Sequence, residues 1–234
     1  HDVEGGGAFD DVVAYGGWTM DDHHPAGLYF PGKPSVFHPA PSPYGISYRC
    51  LYSRNIDNLL FAGRNISVTH AALSSTRVMA TCAVLGQAAG TAAALCKRHG
   101  CSPRQVGGQH LNELQNTLMF DDCYLPGFPH RVSELTGAGT MRGPGEGLAL
   151  LRDGIERDRV DAAHGWTGKT GDVIELTWPF DAPVEALRLV FDSNLNAHKK
   201  MPCAYPVSSN RNAMPRTLAE AFAVETMEIG RAHV

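Results

Sequence analysis

The residues best placed to do chemistry lie on either side of one glycine. His70 and Arg77 follow Gly63 in a polar stretch between an apolar run, Leu59-Leu60-Phe61-Ala62, and a long small-residue pattern from Val78 to Leu95. A histidine titrating near neutrality moves protons, and a guanidinium steadies negative charge that develops during a transfer step. The alternative for His70 is a loop histidine satisfied by backbone. Arg49 offers a planar fork to an anionic or carbonyl group, or else forms a surface ion pair. Gly63 ends the apolar run without a side chain, so backbone can approach a ligand there. A helix starting near Thr76 would aim unpaired N–H groups and its positive dipole end at the same place. Anionic or carbonyl-rich cofactors suit such a site.

Those residues need a frame. The apolar run followed by the small-residue pattern reads as a buried strand feeding a buried helix. Ala80, Ala83, Gly86, Ala89, Gly90 and Ala93 form a strip so small that another backbone or a flat ring system is expected to pack on it, since each glycine costs a helix interior about 1 kcal/mol. A tightly packed core helix of any α/β protein explains the strip equally well. Lys97-Arg98-His99 before Gly100 is a helix stop with cations at the negative dipole end, Ser102-Pro103 opens a turn, and Leu111, Leu114 and Leu118 recur at helical spacing. Upstream, Val12 to Tyr15 reads as a short strand. Met20 to Tyr48 shows no strand or helix period and is expected to be one long loop. Its His23, His24 and His38 have no third partner at a diagnostic metal spacing, so no metal site is expected from them.

The chain has 234 residues, 43% hydrophobic and 19% charged, with a formal net charge of -4, and a pI near 6.3. This is a globular composition with no basic footprint for nucleic acid, and no membrane partner is expected either. The six cysteines, Cys50, Cys82, Cys96, Cys101, Cys123 and Cys203, contain no C-x-x-C pair, so neither zinc nor an iron–sulfur cluster is supported. A redox pair between Cys96 and Cys101 stays open.

The run from Leu51 to Leu95, LYSRNIDNLLFAGRNISVTHAALSSTRVMATCAVLGQAAGTAAAL, resembles the C-terminal FAD-binding segment of a bacterial family of FAD-dependent oxidoreductases. That family is distantly similar to fumarate reductase flavoproteins and to the flavin subunit of heterodisulfide reductase. AYGGWTMDDHHPAGLY and YGISYRCLYSR look like the same family, so the resemblance covers roughly Asp10 to Gly127. It implies an α/β fold, a Rossmann-like FAD/NAD(P)-binding domain present in part with its N-terminal half missing. The cofactor implied is FAD, and the partner a small-molecule substrate. Ala62 and Gly63 would end the strand beside the flavin. Arg64 and Asn65 would stand where many flavoproteins place an acidic residue on the ribityl chain. Ser75, Thr76, Val78 and Met79 would start the helix facing the carbonyl edge of the ring. His70, Arg77 and Arg49 would be the substrate-side groups, with Tyr44 and Tyr48 nearby.

The domain plan expected is a substrate-side segment over 1–50, the FAD-domain portion over 51–128, a linker over 129–147 and a truncated all-β sandwich over 148–227. Gly137-Ala138-Gly139 looks dinucleotide-like, but no apolar strand precedes it and Pro144 interrupts the helix it would need, so it is assigned to the linker. Strands are expected at Val173–Trp178, Ala186–Phe191 and Leu218–Val224. Residues 228–234 read as a non-native tail, and the chain as a fragment whose native location is unreadable. The sandwich, which looks similar in plan to galactose-binding modules, supplies the rival function, a carbohydrate- or protein-binding module without catalysis. Trp166, Trp178 and Asp192 could form a glycan-binding face, the alternative being inward tryptophans of a sandwich core. A structural interdomain role is the third reading.

Overall fold

The computed structural model describes residues 2–41, 43–157, 164–193 and 217–226, and the chain divides into two compact units, His1–Arg131 and Val132–Val234. Cys203 and the 228–234 tail lie outside the described residues.

The first unit is built on two short strands. β1 (Val12–Gly16) is β-branched and apolar at its start, as the sequence indicates, and pairs antiparallel with β4 (Tyr44–Ser47), whose four residues are all buried. The N-terminal turn crosses directly over this ladder, with Gly45 N–H donating to Gly6 O at 3.0 Å. A Cβ on Gly45 would sit 2.4 Å from Gly7 O, so the crossing requires glycine.

Between these strands the chain is not one long loop. β2 (Met20–His23) and β3 (Ser35–His38) form an antiparallel hairpin in the register Met20↔His38 to His23↔Ser35, and a 3-10 turn occupies Gly27–Tyr29. The sequence conceals this hairpin because its residues are mostly polar or exposed, Phe37 among them, and so show no apolar alternation.

The helical part also departs from expectation. The Leu59–Ala62 run is not a strand; it makes one isolated bridge, Tyr52↔Leu60, and its side chains are only partly buried or exposed. The helix expected from Thr76 is two helices. α1 (His70–Thr76) is capped by Thr69 Oγ1, which accepts from Ala72 N–H at 3.3 Å. Val78 then turns extended, and α2 (Met79–His99) begins. α2 ends as read, at Gly100 with φ 61°. Ser102 does more than open a turn: it forms a capping box with Gln105 at the start of α3 (Pro103–Gln109), and α4 (Leu111–Phe120) follows.

The core gathers Val13, Tyr44, Ile46, Tyr48, Leu51, Leu85, Ala88, Ala92, Leu95, Val106, Leu114 and Leu118. α2 is long and apolar enough to cross a membrane by length and composition, yet its Leu85, Ala88, Ala92 and Leu95 are core residues. Of the small strip, Ala89 is buried, whereas Ala80, Ala83, Gly86, Gly90 and Ala93 are exposed. A Cβ added at Gly86 or Gly90 would meet nothing within 4 Å, so no described residue packs on the strip at those two positions.

In the second unit, the stretch assigned to a linker holds α5 (Glu134–Ala138), started by Ser133, and β5 (Thr140–Arg142). β5 pairs antiparallel with β6 (Glu175–Thr177). Among the described residues β6 is the strand within the Val173–Trp178 run, and neither Ala186–Phe191 nor Leu218–Val224 is strand, so a β-sandwich is not shown. Trp178 Nε1 donates to Leu135 O and Trp166 Nε1 to Pro144 O, both at 2.7 Å. Both tryptophans are thereby tied to nearby backbone. The Asp192 carbonyl accepts from Thr217 Oγ1 at 2.9 Å.

Candidate functional site

The break between α1 and α2 creates the site. Val78 caps α2 without any side-chain hydrogen bond, so the N–H groups of the first turn have no side-chain acceptor. The Gly63 turn, at φ 89°, lies against that turn, since a Cβ there would stand 3.9 Å from Cys82 Sγ. At the end of α1, Thr76 is 2% exposed and its Oγ1 has no hydrogen-bond partner among the described residues. A buried hydroxyl left unpaired costs about 1–3 kcal/mol. A cavity of about 430 Å³ opens beside α1, with Tyr44, Ser47, Cys50, Thr69, Ala72 and Thr76 among its walls.

β2 supplies the charged side. Arg77 Nη2 donates to Asp21 O at 2.7 Å. His70 Nε2 lies 3.1 Å from Asp22 Oδ1, which leaves Nδ1 without a described contact. Ser75 is fully buried and links three segments: its Oγ donates to Trp18 O and meets Tyr44 OH at 2.5 Å. Burial raises the Tyr44 phenol, and the Ser75 hydrogen bond only partly offsets this.

The residues named from the sequence therefore separate into groups. His70 and Arg77 share the α1–β2 contact, while Val78 and Met79 start α2 and Gly63 lies against Cys82 in its first turns. Ala62, Arg64 and Asn65 are exposed on the Gly63 turn, and Met79 is 84% exposed. Ser75 is engaged within the protein. Arg49 stands elsewhere, where Asp11 takes up its fork, Nε to Oδ2 at 3.0 Å and Nη2 to Oδ1 at 3.2 Å. That pair borders a separate cavity of about 340 Å³ with Tyr48, Tyr52 and Arg104. Reading the sequence did not single out Asp11, nor pair Asp21 and Asp22 with Arg77 and His70. Asp21 accepts through its backbone carbonyl, which no side-chain type signals, and pairings this far apart in sequence cannot be read from one chain.

An uncapped helix start, a positive-φ glycine beside it and a buried hydroxyl with no hydrogen-bond partner among the described residues are grouped at the α1–α2 break. The model of the FAD dependent oxidoreductase family matches residues 1–118. The chain belongs to this family. No curated protein and no solved structure matches it. Membership implies FAD, oxidoreductase chemistry and a Rossmann-like α/β fold, and the first unit contributes helices and small antiparallel sheets to that fold. The residues present fit FAD. In this family member, the N–H groups of α2's first turn and the Thr76 hydroxyl are, among the described residues, the groups whose chemistry would suit its polar edge.

Proposed function

We propose that the chain forms the flavin- and substrate-facing segment of an oxidoreductase that passes a hydride between a small organic substrate and FAD. The observation that carries this is Thr76 Oγ1, buried and unpartnered beside the open start of α2. FAD, when bound, supplies the hydride chemistry, and the protein supplies position and charge. The α2 dipole favours negative charge at Val78–Met79. Arg77, anchored through one nitrogen on Asp21 O, keeps further N–H donors for an anionic substrate group. His70, with Asp22 at Nε2, keeps Nδ1 for a proton. Arg49 takes no part in this scheme, because Asp11 occupies its fork.

Thr76→Val tests the reading, since it keeps the shape and removes the hydroxyl. Without FAD the variant should be as stable as the parent or slightly more so, as an unpaired buried group is gone. FAD affinity, followed by quenching of flavin fluorescence, should fall about tenfold, the equivalent of one hydrogen bond of about 1–1.5 kcal/mol. Equal affinity in the two proteins would detach FAD from this site.

A further inference from the structure

The opposite end of α2 carries a second cluster, about 30 Å from Met79 at 1.5 Å per residue. Three elements meet there. His99 lies in the last turn of α2, one residue before the left-handed Gly100 that stops the helix. His110 is the residue shared between the end of α3 and the start of α4. Glu113 stands three residues on, in the first turn of α4, and so on the same face as His110.

Both imidazoles address one carboxylate oxygen. His99 Nε2 is 2.8 Å from Glu113 Oε2, and His110 Nδ1 is 3.8 Å from the same atom. Arg98 Nη1 holds the other oxygen, Oε1, at 2.9 Å, which turns Oε2 toward the histidines. The rings stack at 3.9 Å with 10° between their planes.

The geometry points to a divalent transition-metal site made by His99, His110 and Glu113. Two imidazoles and a carboxylate are the donor set that suits Zn²⁺, Co²⁺, Ni²⁺ or Fe²⁺, whereas Ca²⁺ and Mg²⁺ ask for oxygen. One ligand atom from each residue lies within 4.8 Å of the others. Metal–ligand bonds of about 2.0–2.2 Å draw such atoms to within about 3.5 Å of one another. Rotation of imidazole χ2, which is soft, closes that gap. Parallel rings cannot both aim in-plane lone pairs at one ion, so binding turns one ring out of the stack. Three protein ligands leave a position for water, and the side chains, 25–35% exposed, give it access. The Arg98 charge opposes the ion, which sets affinity below that of thiolate-rich structural sites. The ion would pin the end of α2 to the α3–α4 corner.

The chelator-treated full chain is titrated with Zn²⁺ against a chromophoric chelator, and separately with Co²⁺ to read its visible ligand-field bands. The expected result is one ion per chain whose affinity falls at least tenfold in both His110→Gln and Glu113→Gln, with loss of the Co²⁺ bands. Glu113→Gln keeps an acceptor for His99 and nearly the same shape, so it remains informative if His110→Gln fails to fold; circular dichroism of the metal-free proteins identifies that case. Absence of binding by the parent chain, or binding that a folded Glu113→Gln variant leaves unchanged, would overturn the site.

Discussion

Asp11 and Arg49 show how a conspicuous residue and an important one can differ. The Arg49 side chain is 67% exposed, and the Asp11 side chain 12%. Besides the Arg49 fork, Asp11 Oδ2 accepts from Ser47 Oγ at 2.7 Å and from the Arg49 backbone N–H at 3.2 Å. It thus ties the end of β4 to the start of β1. Removing the carboxylate leaves those donors unpaired in a part-buried place, whereas removing Arg49 loses mainly a solvent-screened pair. Asp11→Ala should lower stability by about 2–3 kcal/mol and Arg49→Ala by less than about 1 kcal/mol. Urea denaturation of each variant reads the difference. Similar losses would mean that the guanidinium carries the junction. The arginine's chemistry was legible in the sequence; its partner, 38 residues away, was not.

Elements were readable where local chemistry decides and unreadable where pairing does. The stop at Gly100 and the Leu111, Leu114, Leu118 face of α4 rest on neighbours in sequence, whereas Ser102, read as opening a turn, starts α3. The β2–β3 hairpin rests on cross-strand pairing of mostly exposed residues. The Leu59–Ala62 run misleads because apolar residues can lean on a core without joining a ladder. The kink after Thr76 was also hidden, since nothing in Arg77-Val78 forbids a helix. α2 gives a test in which one chemical change has two signs. Gly100→Ala places a Cβ at φ 61° with no neighbour to relieve the strain and should cost about 1–2 kcal/mol. Gly90→Ala adds a methyl at a helical position with nothing within 4 Å and should gain up to about 1 kcal/mol. Thermal unfolding of the two variants reads both. A loss at Gly90 would show that the strip is packed in the folded protein.

For the whole chain, the sequence indicated the α/β character of the first unit, because its family signal and helix stops are local. In the second unit a β-sandwich is not shown: the Val173–Trp178 and Ala186–Phe191 runs are apolar enough for strands, yet of these two runs only Glu175–Thr177 pairs among the described residues. Val173, Leu187 and Val190 are half or more exposed. Stability therefore has to be argued from the first unit's core, and that core contains phenols and thiols. Tyr48 is fully buried, its hydroxyl donates to Pro103 O at 2.9 Å, and burial pushes its ionisation far above the ordinary value of 10.0. Tyr44, Cys50, Cys96 and Cys123 are raised as well, desolvation being the largest cause in each. In every case the folded state holds the proton longer than the unfolded chain does. Their contribution is thus fully present below the ordinary pKa values and declines as pH rises through about 9–10 toward the folded values. Each group adds a slope of at most about 1.4 kcal/mol per pH unit. Urea midpoints should therefore hold steady from neutrality to about pH 8 and then fall. Tyr48→Phe should be less stable at neutral pH, having lost the bond to Pro103, but its alkaline decline should be shallower than that of the parent. Parallel declines in the two proteins would mean that Tyr48 ionises as freely in the fold as outside it.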